Sequence, residues 1–395
     1  MNSLLHTPEG VRDIYAEDCA KKRFIEKNIK KTIYSHGYQD VEMPGFEFFD
    51  LFNKERGSVP SKEMFKFFDR EGNTLVLRPD MTPQIARVAA KYYENEEAPL
   101  RFIYQGRKYV NGSSYQGRMK ETTQIGAELV GDATMDADAE VIVLLVKSIL
   151  STGLKDFQVE IGHIDFFRGL VEEAGLDESE ADQMLEMIQE KNFFGVEELL
   201  HANSLTGNVA EAFRILPQLF GSIEILDRAD ELTSNSRAEG AINHLRQLYE
   251  ILTQYGVEQY ITFDLGMLSK LRYYTGVMMQ AFTYGSGDYI ASGGRYDELI
   301  GQFGTKKASI GFSVTVDNIL TAITRQKIAI DAYPREQILI LYNKECRAKA
   351  IAKADELRSD TVNVIMQLKS DLYQDCFVSD YCEKNHISQV IRIEE

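Results

Sequence analysis

Gln124 and Glu128 lie four residues apart in TTQIGAELV, where Thr123, Ile125, Ala127 and Leu129 alternate as in a β-strand. An even spacing sets both polar side chains on one sheet face. An amide and a carboxylate among Ala, Ile and Leu need partners if that face is buried. The plainer alternative is a pair of solvent-facing positions on a half-exposed sheet. Asp80 and Thr82 stand in Arg78-Pro79-Asp80-Met81-Thr82-Pro83. There a ligand-binding role competes with local capping, since Thr82 suits a helix N-cap with Pro83 in the first turn. Other chemistry is missing. There is no G-x-G-x-x-G after a strand, no G-x-x-x-x-G-K-[ST], no H-E-x-x-H and no G-x-S-x-G. The six histidines are scattered, and His163 in IGHID reads as a satisfied core histidine. The four cysteines form no C-x-x-C pair and have no histidine at zinc spacing, so reduced thiols and no metal site are expected.

The element that positions Gln124 and Glu128 is a long antiparallel hairpin over Arg101–Gly131. Its tip carries Asn111-Gly112-Ser113-Ser114 and Gln116-Gly117, turn chemistry flanked by Arg107, Lys108, Arg118 and Lys120. Before it, Glu17–His36 reads as an amphipathic helix with Ala20, Phe24, Ile25, Ile29 and Ile33 on one face and Gly37 as its stop. Tyr38–Phe52 reads as strand and turn dense in aromatics, either core or subunit interface. A second hairpin pairs Met64–Asp69 with Thr74–Leu77, and a helix follows over Gln84–Tyr93. Ala137–Leu150 reads as a buried helix and Phe157–Ile164 as a strand.

Residues 170–255 are helical throughout, and Val171–Glu190 holds eight acids with no Lys or Arg. This is expected to be an inserted helical domain with a solvated acidic face. Strands resume at Ile261–Met267, Thr275–Tyr284 and Tyr289–Ser292. Ser292-Gly293-Gly294-Arg295-Tyr296-Asp297 is expected to lead into a short helix, and Ala308–Val316 to feed a helix over Asp317–Arg325. The order predicts an α+β fold with an antiparallel six-stranded sheet flanked by helices over 1–325. After a polar stretch near Gln326–Arg335, residues 326–395 show a β-α-β rhythm (Ile338–Tyr342, Arg347–Leu357, Val362–Met366, Gln389–Ile393) and are expected to form a small α/β domain.

At 395 residues the chain predicts two or three domains. No apolar run approaches the ~18 residues a membrane helix needs, and the N-terminus lacks a secretory signal. A cytoplasmic chain without membrane contact is expected. The formal charge of −17 disfavours binding to a polyanion such as tRNA.

Four motifs, in order, resemble class II aminoacyl-tRNA synthetases and the histidyl enzyme specifically: Leu77-Arg78-Pro79-Asp80-Met81-Thr82-Pro83, Gln124-Ile125-Gly126-Ala127-Glu128, Leu271-Arg272-Tyr273-Tyr274-Thr275-Gly276 and Ser292-Gly293-Gly294-Arg295-Tyr296-Asp297. The resemblance covers about residues 1–325. It implies that Asp80, Thr82, Gln124 and Glu128 hold the ammonium and imidazole of histidine, with Tyr273, Tyr274 and Tyr296 as walls. That chemistry is sound, because a cation and a ring N–H want carboxylate and amide oxygens, and a flat ring wants aromatic walls.

Where the resemblance fails is equally informative. Adenylation needs cations on the ATP phosphates. At the positions where the family places its F-R-x-E pair, this chain has Val110 and Gly112. Ser269 stands for the arginine before the L-x-Y-Y run, and Asn318 for that of G-[LI]-E-R. Losing one such group costs on the order of 10²–10³ in rate. The pattern is similar to the histidyl-synthetase paralogues that serve as regulatory subunits of ATP phosphoribosyltransferase. It implies no catalytic residue and no cofactor, a short-form catalytic subunit as partner, histidine as feedback effector of histidine biosynthesis, and a homodimer through the core. It also implies a C-terminal domain reduced relative to an anticodon-binding domain. Arg118, Lys120 or Arg272 are the expected substitutes for the lost contacts to the ligand carboxylate. Two other readings stand beside this one. A divergent histidyl-tRNA synthetase would take its ATP clamp from Arg107, Arg118 or Lys120, and a pseudo-synthetase would bind tRNA as a sensor.

Overall fold

A computed structural model describes residues 5–52, 59–112, 118–268, 273–330, 336–370 and 375–394. The central hairpin pairs β5 (Leu100–Tyr109) with β6 (Glu121–Val130) in one uninterrupted antiparallel register from Leu100↔Val130 to Tyr109↔Glu121. The remaining strands of the first 329 residues are β1 (Gln39–Asp40), β2 (Phe46–Phe48), β3 (Lys66–Phe68), β4 (Thr74–Leu77), β7 (Phe157–His163), β8 (Phe220–Gly221), β9 (Ile261–Asp264), β10 (Val277–Thr283), β11 (Ala291–Arg295) and β12 (Ser309–Thr315).

Among the described residues the main sheet has nine strands in the order β1-β5-β6-β12-β11-β10-β7-β9-β8. The expected six-stranded antiparallel sheet is its middle, β5 through β7. The three additions are short edges: β1 parallel to β5, β9 parallel to β7, and β8 antiparallel to β9. Two-residue strands carry no periodicity, which is why the sequence did not reveal them. Ser292-Gly293-Gly294-Arg295 lies within β11 rather than leading into a helix; only a 3-10 turn follows, at Ile300–Phe303. A separate small sheet, β2-β4-β3, contains the second hairpin.

Helix α1 (Ala16–Tyr34) buries Ile25, Ile29 and Ile33, one stripe at helical spacing, against α3 (Met135–Leu150) and α10 (Val316–Gln326). Thr134 caps α3 by accepting from Ala137 N, and its core-length apolar run is buried on nearly every side. These three helices cover one face of the sheet. The other face is covered near β5 and β6 by α2 (Thr82–Tyr92), whose Ile85, Ala86 and Ala89 pack with Met81, Phe102 and Tyr104. Helices α4 (Ile164–Ala174), α5 (Glu178–Gln189), α6 (Phe193–Ala202), α7 (Gly207–Ile215), α8 (Ile225–Asp230) and α9 (Ser236–Gln254) form the helical stretch. It meets the sheet where α9 packs on β7, with α4 against α9, and it lies in the same compact unit, Met1–Ala329, as the sheet.

The second unit, Ile330–Glu395, is a three-stranded parallel sheet in the order β14-β13-β15, from β13 (Glu336–Tyr342), β14 (Val362–Leu368) and β15 (Gln389–Ile393). Helix α11 (Arg347–Leu357) matches the sequence reading, while α12 (Asp375–Lys384) was not anticipated. Parallel strands need a crossover helix between them, and α12 supplies the one between β14 and β15.

Candidate histidine-type pocket

Strand register explains how residues distant in the chain meet. Glu128 pairs with Gly311, Gly311 with Gly294, and Gly294 with Met278, so these positions form one row across the sheet. Glycines are required in that row. A Cβ on Gly311 would occupy the space of Glu128 Oε2, and one on Gly294 would come within 2.7 Å of the Tyr274 ring. Backbone alone floors the pocket, and larger side chains fold over it.

Glu128 is 1 % exposed. Its carboxylate accepts from Tyr296 Oη at 2.7 Å, Tyr104 Oη at 3.3 Å and Thr82 Oγ1 at 3.3 Å. Burial, and secondarily the nearby Asp80 carboxylate, push its carboxyl up to about 8, while the three hydroxyls pull in the opposite direction. Burial raises Tyr104, Tyr273, Tyr274 and Tyr296, helped by Glu128 at all four and by Asp80 at the first three, so all four stay neutral. Tyr273 lies edge-on to Tyr296 with centroids 6.1 Å apart, and 5.0 Å from the Tyr274 centroid. Tyr273 Oη donates to Asp80 Oδ2 at 3.4 Å.

Local capping turns out to belong to Asp80 and not to Thr82. Asp80 Oδ1 accepts from Met81 N at 2.7 Å and Thr82 N at 3.3 Å. Thr82 is already helical, makes no side-chain cap, and gives its hydroxyl to Glu128. Gln124 is 4 % exposed, donates to Ser313 Oγ at 3.2 Å, and its buried Oε1 has no partner. An orphan buried acceptor is a place prepared for a donor. The structure thus brings Asp80, Thr82, Tyr273, Tyr274 and Tyr296 together around the Glu128 carboxyl, with Gln124 four residues before it on the same strand. It adds Tyr104, which sequence reasoning missed. The available signal was Tyr104 standing opposite Gly126, a glycine inside a strand.

Of the expected substitutes for the carboxylate contact, two have described partners. Arg118 pairs with Asp288 at 3.4 Å, and Lys120 packs against Gly10. Arg272 and Ser269 lie outside the described residues. Of the positions expected to have lost an ATP-clamping group, Val110 N donates to Lys120 O, Gly112 is half-buried, and Asn318 Nδ2 donates to Tyr289 O at 2.8 Å. None of the three presents a cation.

Behind the pocket a second network ties β11 to the helical stretch. Arg295, 7 % exposed, pairs with Asp138 at 2.6 Å, and His244 of α9 contacts the other Asp138 oxygen at 3.0 Å. His163 is a capping residue, as expected for a satisfied core histidine: its Nδ1 accepts from Asp165 N at 3.2 Å. Burial, then the neighbouring His244, depress it to about 4, so the cap works as neutral imidazole. No group of metal-ligating side chains occurs among the described residues. No helix among them is long and apolar enough to cross a membrane.

A family profile described as Histidyl-tRNA synthetase matches residues 10–319. The chain is 41 % identical over 360 residues to the ATP phosphoribosyltransferase regulatory subunit of Acetivibrio thermocellus, covering 91 % of this chain and 86 % of that one. It is 36 % identical over 392 residues to the protein of the same name from Clostridium acetobutylicum, covering 99 % and 95 %. The crystal structure of an ATP phosphoribosyltransferase regulatory subunit/histidyl-tRNA synthetase from Bacillus halodurans superposes with a TM-score of 0.88 at 30 % identity, covering all of both chains. A pocket with histidyl-synthetase motifs on a class II synthetase-like α+β sheet fits these relatives. The chain belongs to the histidyl-tRNA synthetase-like family of ATP phosphoribosyltransferase regulatory subunits.

Proposed function

We propose that this chain is the non-catalytic regulatory subunit of an ATP phosphoribosyltransferase, acting in the cytoplasm at the first step of histidine biosynthesis, and that histidine is its effector. One observation carries the reading: Tyr296, Tyr104 and Thr82 converge on the buried Glu128, while Val110, Gly112 and Asn318 occupy the positions at which the resemblance expects ATP-clamping groups. Such a site binds without adenylating. Regulation is then linkage, with histidine favouring one state of the assembly and shifting activity by its differential affinity. The catalytic partner is a short-form phosphoribosyltransferase subunit, and tRNA is not a ligand of a chain with charge −17.

The regulatory chain pairs with a second copy of itself. Supporting this, Phe46 and Phe48 of β2 are 54 % and 57 % exposed, and Phe67 of β3 shares their sheet face with its ring 5.8 Å from Phe46. Exposed aromatics in a cluster are interface chemistry. The test is calorimetric titration of histidine into the purified chain, wild type and Glu128→Gln. Binding that the substitution abolishes supports the pocket, and absence of binding to both the chain and its complex refutes it.

A further inference from the structure

Arg78 is 8 % exposed, yet it makes no ion pair with any described residue. Its guanidinium is held by backbone carbonyls alone: Nε donates to Arg107 O at 2.7 Å, and Nη1 to Met43 O at 2.8 Å and Pro44 O at 3.2 Å. A buried cation satisfied only by neutral groups is costly unless something supplies the counter-charge. Nη2, which makes none of these bonds, lies directly over Gly106, in the space a side chain there would fill. Gly106 is the register partner of Gln124, whose Oε1 is the orphan acceptor of the pocket. Cross-strand side-chain positions at such a pair are about 5 Å apart.

Strand alternation adds a second cation. Tyr104, Gly106 and Lys108 occupy the same face of β5, and Lys108 is half-buried, stands opposite Thr122 and pairs with no described residue. The site-bearing face therefore runs from a carboxyl-bearing end, Asp80 and the protonated Glu128, through Gln124 to a cationic end, Arg78 and Lys108. That is the charge order of an amino acid whose ring and ammonium point inward and whose carboxylate points outward.

We infer that Arg78, assisted by Lys108, binds the carboxylate of the ligand. Planar, charge-assisted pairing to a carboxylate is what a guanidinium does best. This inference rests on histidine as the ligand of the Glu128 pocket, and the experiment separates the two. Histidine, histidinamide and histamine are titrated into the full wild-type chain and into Arg78→Lys, Lys108→Met and Glu128→Gln, with circular dichroism checking the fold of each. Expected are at least tenfold tighter binding of histidine than of histidinamide or histamine in the wild type, and loss of most of that preference in Arg78→Lys. Lys108→Met should lose about threefold for histidine and leave histamine unchanged.

Equal wild-type affinity for the three ligands, all abolished by Glu128→Gln, overturns the role of Arg78 and leaves the histidine pocket standing. So does an Arg78→Lys chain that weakens histamine as much as histidine. If Arg78→Lys fails to fold, the wild-type preference and its loss in Lys108→Met decide the matter. No binding of any of the three overturns both readings.

Discussion

Glu128→Gln keeps the size and shape of the buried side chain and removes its titration. In the folded chain the Glu128 carboxyl is held up to about 8, against 4.5 for an ordinary glutamate, chiefly because burial penalises the charged form. Between those two values the folded state holds a proton that the unfolded state has released. Stability must then fall as pH rises through the window, by ~1.4 kcal/mol per pH unit. The full crossing amounts to about 5 kcal/mol, a large fraction of the stability of an ordinary domain. Glutamine has no such dependence. The unfolding free energy of Glu128→Gln minus that of wild type should therefore climb from pH 5 to pH 8 and level off above it. Urea unfolding of both chains at half-unit pH intervals measures that difference. Taking it cancels Glu160, which burial raises to about 7 in the same sense, and His163, depressed to about 4 in the opposite sense. A difference that stays flat across pH 5–8 would mean Glu128 is ionised in the folded chain, and the account of the pocket as a desolvated acceptor would be wrong.

Other expectations follow from the same contacts. Gly311→Ala should destabilise the chain by ~1–3 kcal/mol through overpacking against Glu128, and should abolish histidine binding in calorimetry while leaving the far-ultraviolet spectrum unchanged. Arg295→Met strands Asp138, which is 1 % exposed, and should cost ~3–5 kcal/mol in denaturant unfolding; a loss below 1 kcal/mol would show that His244 alone satisfies the carboxylate. Phe46→Asp with Phe48→Asp should turn a dimer into a monomer by light scattering at micromolar concentration, and an unchanged mass would remove the aromatic face from the interface.

What could be read before the structure followed from local periodicity. The hairpin, α3, α10 and the parallel strands β13 and β14 each run for seven residues or more with one dominant period, and each was anticipated within a few residues. The pocket residues were legible only through their resemblance to a family, because Glu128 alone reads as any polar strand position. What local pattern hid was chiefly non-local. Thr82 looked like a cap, and its hydroxyl instead reaches a carboxylate 46 residues away. Gly311 and Gly294 marked close approaches without saying to which side chain. Arg78 sat within a recognised motif, but only the tertiary structure shows that it is buried without an acid. The small edges β1 and β8 exist because a neighbouring strand is there to pair with, not because two residues prefer extension.

The central claim is that this chain regulates and does not catalyse. Its most direct test mixes the purified chain with a short-form phosphoribosyltransferase catalytic subunit and measures phosphoribosyl transfer to ATP with and without histidine. The expected result is no transfer by this chain alone, transfer in the co-purifying complex, and a histidine-dependent fall in that activity which Glu128→Gln removes. A chain that forms no complex, yet alone carries out histidine-dependent ATP–pyrophosphate exchange, would contradict the claim and make it a synthetase.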